Sequence, residues 1–182
     1  MLDIGCGPGK QLIEFARRGY RCTGLDINER MLHHLRKRAE EEGVEVETVK
    51  ADMNNFELRK KFDFAFILMG TIGYVKSNEE MLSHLKCAGR VLRKGGLYVI
   101  ENFLLDWRNA FRKQTWKMRR KGIEVRATYR LSPKNLIQQL AEEELVLEMK
   151  EKGKTRVLRE LFTRKLIFPQ EFLLLPRFKF FA

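Results

Sequence analysis

The sequence predicts an α/β fold, a doubly wound and mostly parallel sheet followed by an antiparallel β-meander. Residues 2–101 alternate short apolar runs with amphipathic helical segments, which is the pattern of a parallel sheet. A glycine-rich turn follows the first apolar run, where open α/β sheets bind ligands. After Glu101 the predicted strands lengthen and are separated by turns. We therefore divide the chain into a core of residues 1–101 and a substrate-side extension of the same domain, residues 102–182.

Five strands and three helices are predicted in the core. The strands are residues 2–4, 21–25, 44–48, 62–69 and 97–100. The helices are residues 10–18, closed by Gly19, a second that Asn28 caps, and a third that Asn78 caps and that ends near Arg93. The second helix has an apolar stripe of Met31, Leu32, Leu35 and Ala39. Residues 62–69 are nearly all apolar, as in a central strand buried on both faces.

The extension has a different pattern. Residues 123–131 and 143–150 read as strands, with a turn predicted at residues 132–135. Lys152 and Gly153 are expected to close a hairpin onto residues 157–168, although that last segment also fits a helix pattern. A further helix is expected to begin at residues 168–172.

Composition excludes several classes of protein. The hydrophobic fraction of 44% and the 13 phenylalanines supply a core, which excludes disorder. No apolar run approaches the ~20 residues of a membrane-spanning helix, and no secretory signal is recognised at the start. The three cysteines are odd in number and unclustered, which indicates neither a disulfide framework nor a metal site and favours the cytoplasm. The histidines His33, His34 and His84 lie in helical segments and are expected to face solvent.

The net charge of +12 is unevenly distributed along the chain. The first 100 residues hold 17 Lys and Arg against 14 Asp and Glu, whereas the remaining 82 hold 19 against 10. The excess charge therefore belongs to the extension, where it indicates either nucleic-acid binding or a heat-adapted surface.

A glycine turn between the first strand and the first helix is the first candidate site. It contains Asp3, Gly5, Cys6, Gly7 and Gly9. Glycines allow a tight turn and a close approach of ligand to backbone, and the helix start offers backbone amides. The dinucleotide fingerprint requires a third glycine where this chain has Lys10, and the Walker A spacing is also absent.

Two acidic residues follow the second and third strands. Asp26 ends the second strand, where a carboxylate accepts the hydroxyls of a ribose and disfavours a 2′-phosphate. Asp52 follows the third strand and is suited to accept a hydrogen bond from an adenine amino group. The adjacent Ile27 and Met53 can sandwich a flat ring.

These motifs together resemble the core of class I, Rossmann-like S-adenosylmethionine-dependent methyltransferases. The matching segments are residues 2–9, Asp26, residues 51–53, residues 62–74 and residues 90–97. The resemblance covers about 100 residues in the family's order and spacing. It implies S-adenosylmethionine as cofactor and in-line methyl transfer as the reaction.

The resemblance also implies roles for single residues. Asp3 would organise contacts around the methionine amino group, and Gly5, Cys6 and Gly7 would face the methionyl portion and ribose. Leu68 and Met69 would lie beside the sulfonium. Tyr74 is the candidate catalytic residue, because its loop borders the transferred methyl. No metal ligand is expected.

Structural alternatives stand beside these roles. Asp3, Asp26 and Asp52 could each cap backbone amides, and Cys6 is expected to be a small filler rather than a reactive thiol. Tyr74 could serve packing only.

Family members usually place a helical segment before the first motif and add a sixth and a seventh strand. This chain begins inside the first strand, so we expect a shortened protein, an alternatively started reading frame or a non-catalytic remnant. An open sheet edge would favour homodimerisation.

The acceptor is predicted to be a small molecule. Enzymes that methylate exocyclic amino groups of bases usually carry a Pro-Pro motif after the fourth strand, where this chain has residues 69–72 without proline. The alternative is a nucleic-acid methyltransferase that uses segment 107–126, in which basic residues interleave with aromatic ones. The members are Trp107, Arg108, Phe111, Arg112, Lys113, Trp116, Lys117, Arg119, Arg120, Lys121 and Arg126.

Overall fold

The computed structural model describes residues 1–102, 111–120 and 122–174. The chain divides into two compact units, with boundaries after residue 103 and after residue 168. The first unit contains a five-stranded parallel sheet with helices, and the second contains a four-stranded antiparallel sheet. This confirms the predicted fold class, including the meander after the fifth strand.

The parallel sheet has the strand order β3-β2-β1-β4-β5. Its strands are β1 (Leu2–Ile4), β2 (Cys22–Asp26), β3 (Val46–Lys50), β4 (Phe62–Ile67) and β5 (Leu92–Ile100). All four neighbouring pairs are parallel, so the carboxyl ends of the strands meet at one edge of the sheet. We call this the carboxyl edge.

The helices of the first unit connect these strands. They are α1 (Lys10–Arg17), α2 (Glu29–Glu41), a short 3-10 helix (Thr71–Tyr74), α3 (Asn78–Val91) and α4 (Pro169–Leu174). Asn28 caps α2 as predicted, since its side chain accepts from the Arg30 amide at 3.0 Å. The predicted cap of α3 is wrong by one residue, because Ser77 accepts from the Glu80 amide at 3.2 Å and Asn78 is already helical.

Apolar side chains of α1 and α2 pack on one face of the parallel sheet. The buried members of this cluster are Cys6, Leu12, Ile13, Cys22, Leu32, Leu35 and Phe66. Because Met31 of the predicted stripe is 37% exposed, the buried face of α2 is narrower than its pattern suggested.

The antiparallel sheet has the order β6-β7-β8-β9. Its strands are β6 (Gln114–Arg120), β7 (Ile123–Asn135), β8 (Leu140–Glu151) and β9 (Lys154–Lys165). The hairpin at Lys152 and Gly153 is confirmed, with φ of 46° and 76° at the two residues. The helix alternative for residues 157–168 is wrong, since β9 pairs with β8 along its whole length.

The turn predicted at residues 132–135 is also wrong. Strand β7 continues through Pro133, which lies opposite Ala141 next to a register shift. An irregularity of this kind tolerates a residue without an N–H group, which explains how the strand accommodates proline. The reversal comes later, where the Gln139 amide donates to the Leu136 carbonyl at 3.2 Å.

Across the described ranges, no helix is both long enough and apolar enough to cross a bilayer.

Candidate functional site

The three glycines of the turn after β1 have distinct surroundings. Gly5, Gly7 and Gly9 have φ of 73°, 52° and 68°, a region that strongly favours glycine. A Cβ added at Gly5 would collide with Thr71, and one at Gly9 would collide with Leu35. A Cβ at Gly7 would meet open space. Gly5 and Gly9 are therefore required by packing, whereas the surface at Gly7 has room for a ligand.

The backbone amides of this turn are bonded within the protein. Gly5 and Cys6 both donate to the Leu25 carbonyl, at 2.7 and 3.0 Å, and Gly9 donates to the Cys6 carbonyl at 3.0 Å. Gly7 donates to Asp26 Oδ2 at 2.7 Å. Phosphate-binding turns use free amides to hold the anion. The turn therefore lacks the chemistry of a phosphate cradle at these four positions.

Asp26, the last residue of β2, joins two loops. Its Oδ2 accepts from Gly7, and its Oδ1 accepts from the Asn28 amide at 2.8 Å. Each carboxylate oxygen has a second lone pair, so the half-buried group can still accept ligand hydroxyls. Ile27 beside it is 66% exposed and available for a flat ring.

Asp3 lies on the central strand and is 3% exposed. Burial, and secondly the charge of Asp26, raises the pKa of the Asp3 carboxyl to about 7. A cation bound at this edge would favour its ionised form. Cys6 is buried, and burial raises the pKa of its thiol, as expected of a filler.

Asp52 begins a tight turn after β3. Its Oδ1 accepts from the Asn54 amide at 2.8 Å, and its carbonyl accepts from the Asn55 amide at 3.1 Å. The Ala51 amide donates to the Asp26 carbonyl at 3.1 Å, which ties this turn to the end of β2. Asp52 is exposed and Met53 half-buried, so the two predicted ligand positions lie together at the carboxyl edge.

The residues after β4 have an unusual backbone. Met69 and Gly70 have φ of 56° and 65°, and Met69 is 65% exposed. The Thr71 hydroxyl donates to the Leu68 carbonyl at 2.7 Å. Tyr74 ends the 3-10 helix and is 37% exposed. Leu68, Met69 and Tyr74 thus follow the end of β4, where the family resemblance implies that the transferred methyl group lies.

Two residues at this site were missed from the sequence. Glu101 follows β5, and its Oε2 accepts from the Met69 amide at 2.8 Å. An acidic residue directly after a predicted parallel strand was the available signal. His84 was expected to face solvent, which is wrong, because it is fully buried behind the Asp52 turn. Its position in the stripe of Met81, Ala88 and Val91 was the signal for burial.

Clefts elsewhere on the first unit do not coincide with this site. One of about 490 Å³ lies at the amino end of the strands, lined in part by Met1, Tyr20, Phe62 and Arg93. In the part of the chain that the structure describes, no group of three or more His, Cys, Asp or Glu could hold a metal ion.

Comparison with known proteins gives the family. A family model described as a methyltransferase domain matches residues 1–96, just over half of the chain. The chain is 32% identical over 101 residues to the dTDP-3-amino-3,4,6-trideoxy-α-D-glucopyranose N,N-dimethyltransferase of Streptomyces venezuelae. That match covers 56% of this chain and 41% of the relative, so the chain spans about two-fifths of that protein's length.

Solved structures agree over most of the chain. DesVI of Streptomyces venezuelae superposes with a TM-score of 0.84 at 25% identity, covering 96% of this chain and 72% of that one. The S-adenosylmethionine-bound amino pentose methyltransferase CalS10 of Micromonospora echinaspora has the same fold, with a TM-score of 0.79 at 23% identity and coverage of 96% and 71%. With its motifs at one edge of a parallel sheet and its first half matching the family model, this chain belongs to the class I, Rossmann-like family of methyltransferase domains.

Proposed function

We propose that this chain binds S-adenosylmethionine at the carboxyl edge and transfers its methyl group to a small-molecule acceptor. The observation that carries the proposal is the set of acids at that edge. Asp3, Asp26, Asp52 and Glu101 belong to or follow four different parallel strands. Asp26 accepts the Gly7 amide of the glycine turn, whose amides at Gly5, Cys6 and Gly9 are bonded to backbone carbonyls. Such a site suits a ligand with a sulfonium and an ammonium group better than one with phosphates.

Each part of the cofactor has a residue of matching chemistry. Asp26 would accept the ribose hydroxyls, and Asp52 would accept the adenine amino group through the carboxylate oxygen that does not bind Asn54. Ile27 and Met53 would flank the ring. Asp3 would organise the methionine amino group, while Leu68 and Met69 would border the sulfonium.

The reaction is a displacement at the methyl carbon. A lone pair of the acceptor forms the new bond as the sulfur–methyl bond breaks, and the electrons of that bond remain on sulfur. The protein's part is to align the two molecules and exclude water. An acceptor amine would also release a proton, and Glu101 presents an exposed carboxylate beside Met69 that could accept it.

The similarity supports an amine acceptor. One relative is a dimethyltransferase of a dTDP-linked 3-amino sugar, and another, from Saccharopolyspora spinosa, is a dimethyltransferase of a dTDP-linked 4-amino sugar. We infer that a nucleotide-linked amino sugar is the acceptor to test first. Tyr74 remains the residue that we predict to contact the acceptor.

The nucleic-acid alternative receives less support from the basic segment. Alternation along β6 places Trp116 and Met118 on one face and Lys117 and Arg119 on the other. Phe111 packs against the second unit's core, whereas Trp107, Arg108 and Lys121 lie outside the described residues. Two of the three basic residues of β6 therefore face away from its aromatic ring, and Arg120 alone shares the face of Trp116.

Calorimetry with S-adenosylmethionine tests the proposal. We expect 1:1 binding by the wild type and at least about tenfold weaker binding by Asp26→Asn, since hydrogen bonds to a charged group contribute roughly 1.5–3 kcal/mol each. Asp63→Asn is the matched control, because Asp63 is an exposed acid near the amino end of β4.

Two results would contradict the proposal. One is equal affinity of wild type and Asp26→Asn, and the other is tighter binding of NAD than of S-adenosylmethionine. Asp26 also accepts two backbone amides, so its replacement can weaken binding by destabilising the fold. Thermal unfolding of both variants is therefore measured beside the titrations.

A further inference from the structure

A buried histidine holds the backbone of the Asp52 turn from behind. His84 Nδ1 lies 2.9 Å from the Met53 carbonyl oxygen, and its Nε2 lies 2.6 Å from Tyr98 Oη. A carbonyl oxygen can only accept, so Nδ1 carries the hydrogen and Nε2 accepts from the tyrosine hydroxyl. Burial lowers the pKa of His84, which keeps the ring neutral in this tautomer.

Neighbouring side chains on the same face of α3 also contact this turn. The Ser83 hydroxyl donates to the Asn54 carbonyl at 2.6 Å. Glu80 Oε2 accepts from the Lys76 amide at 2.7 Å and from Asn54 Nδ2 at 3.5 Å. One helix face therefore bonds the carbonyls of two successive turn residues.

The arrangement is costly unless every polar group is satisfied. A fully buried imidazole loses its hydration, and an apolar residue would fill the same volume at lower cost. Here both ring nitrogens have partners, and Tyr98 connects the histidine to β5. Within the same turn, the Asp52 side chain accepts the Asn54 amide and remains exposed to solvent.

We propose that His84 is a positioning residue, which together with Tyr98 and Ser83 fixes the Asp52 turn in the conformation that receives the adenine ring. The inference rests on the proposed function for the identity of the ligand. A turn ordered in advance spares the cofactor the cost of ordering it, and fixing even one backbone residue corresponds to about a tenfold change in affinity.

Calorimetry with S-adenosylhomocysteine compares two variants of one residue. His84→Leu removes both hydrogen bonds, and we expect about tenfold weaker binding. In His84→Asn the amide nitrogen can occupy the place of Nδ1 and donate to Met53, so we expect affinity within about threefold of the wild type. Met81→Leu, a volume-conserving change at a buried position of the same helix, is the control and should bind normally.

A ligand-free measurement separates this inference from the proposed function. Hydrogen exchange of residues 51–58 should accelerate most in His84→Leu, which loses the bond to Met53, and clearly less in His84→Asn, which keeps that bond. If the wild type does not bind the ligand while the exchange pattern holds, the proposed function fails and the role of His84 in ordering the turn stands.

The inference is overturned if His84→Leu binds and exchanges like the wild type. It is also overturned if a folded His84→Asn is as impaired as His84→Leu, because the role would then be packing. Should His84→Leu not fold, Tyr98→Phe and Ser83→Ala carry the same comparison, and normal exchange in both would overturn it.

Discussion

The acids at the carboxyl edge of the parallel sheet and the acids of the antiparallel sheet have different partners. Among the described residues, Asp3, Asp26 and Asp52 of the parallel sheet take part in no ion pair, and Asp26 and Asp52 accept backbone amides instead. In the antiparallel sheet, acids pair with arginines across strands. The charge of a paired acid is offset by its arginine, whereas no ion-paired cation offsets the acids that accept backbone amides. This difference agrees with the proposed ligand site at the carboxyl edge and with a stabilising role of the ion pairs in the antiparallel sheet.

The largest expected effect is a loss of stability on breaking an ion pair of the antiparallel sheet. Glu143 pairs with Arg164 at 2.6 Å, and their side chains are only 13% and 9% exposed. Glu143→Gln would remove the carboxylate that lies against this buried guanidinium, so we expect a loss of about 3 kcal/mol in the free energy of unfolding. Urea denaturation measures it.

The adjacent Glu144 provides the control. It pairs with Arg159, whose side chain is 65% exposed, so Glu144→Gln should cost less than about 1 kcal/mol. Equal losses for the two variants would remove the distinction between buried and surface pairs in this sheet.

A second prediction concerns Asp3 in the parallel sheet. Its carboxyl has a pKa of about 7 when folded against an ordinary 3.8. The folded state therefore holds this proton more tightly, and its contribution to stability falls as pH rises from the ordinary value through about 7. Between about pH 5.5 and pH 8 the wild type should lose roughly 2 kcal/mol relative to Asp3→Asn.

Urea denaturation of both proteins at the two pH values checks this. The lowered pKa of His84 acts in the opposite direction, but it is present in both proteins and cancels in the comparison. A difference between Asp3→Asn and wild type that does not change with pH would contradict the raised pKa of this buried acid.

The smallest expected effect is nucleic-acid binding by the antiparallel sheet. Because two of the three basic residues of β6, Lys117 and Arg119, face away from Trp116, we expect weak association with single-stranded RNA that disappears near 0.15 M salt, about physiological strength. Fluorescence anisotropy over a salt series measures it. Tight binding that persists at that salt and is lost on charge reversal of Arg119 and Arg120 would favour the nucleic-acid alternative.

The parallel unit was far more predictable than the antiparallel one. Glycines, caps and acids mark its strand ends, so Asp3, Asp26 and Asp52 could be placed at one edge from spacing alone. Glu101 was missed because its partner, the Met69 amide, lies 32 residues away in the chain. His84 was missed because a helix pattern does not say which polar residue finds buried partners.

In the antiparallel unit, local composition misled the prediction. Residues 132–135 have turn-forming composition, yet the register shift beside Pro133 lets the strand continue. Strand β6 was read as a basic segment, although residues 114–119 alternate as a strand should. Sheet pairing, which depends on distant residues, decided both cases.

The two hydrogen bonds of Asp26 tie its proposed role in ribose binding to the geometry of two loops. In dinucleotide-binding sheets, replacing the ribose-binding acid can redirect an enzyme towards a phosphorylated cofactor. Here the same replacement would release the amides of Gly7 and Asn28 and loosen both loops. Engineering this chain for an altered nucleoside would therefore need new acceptors for those two amides before any change at the ribose.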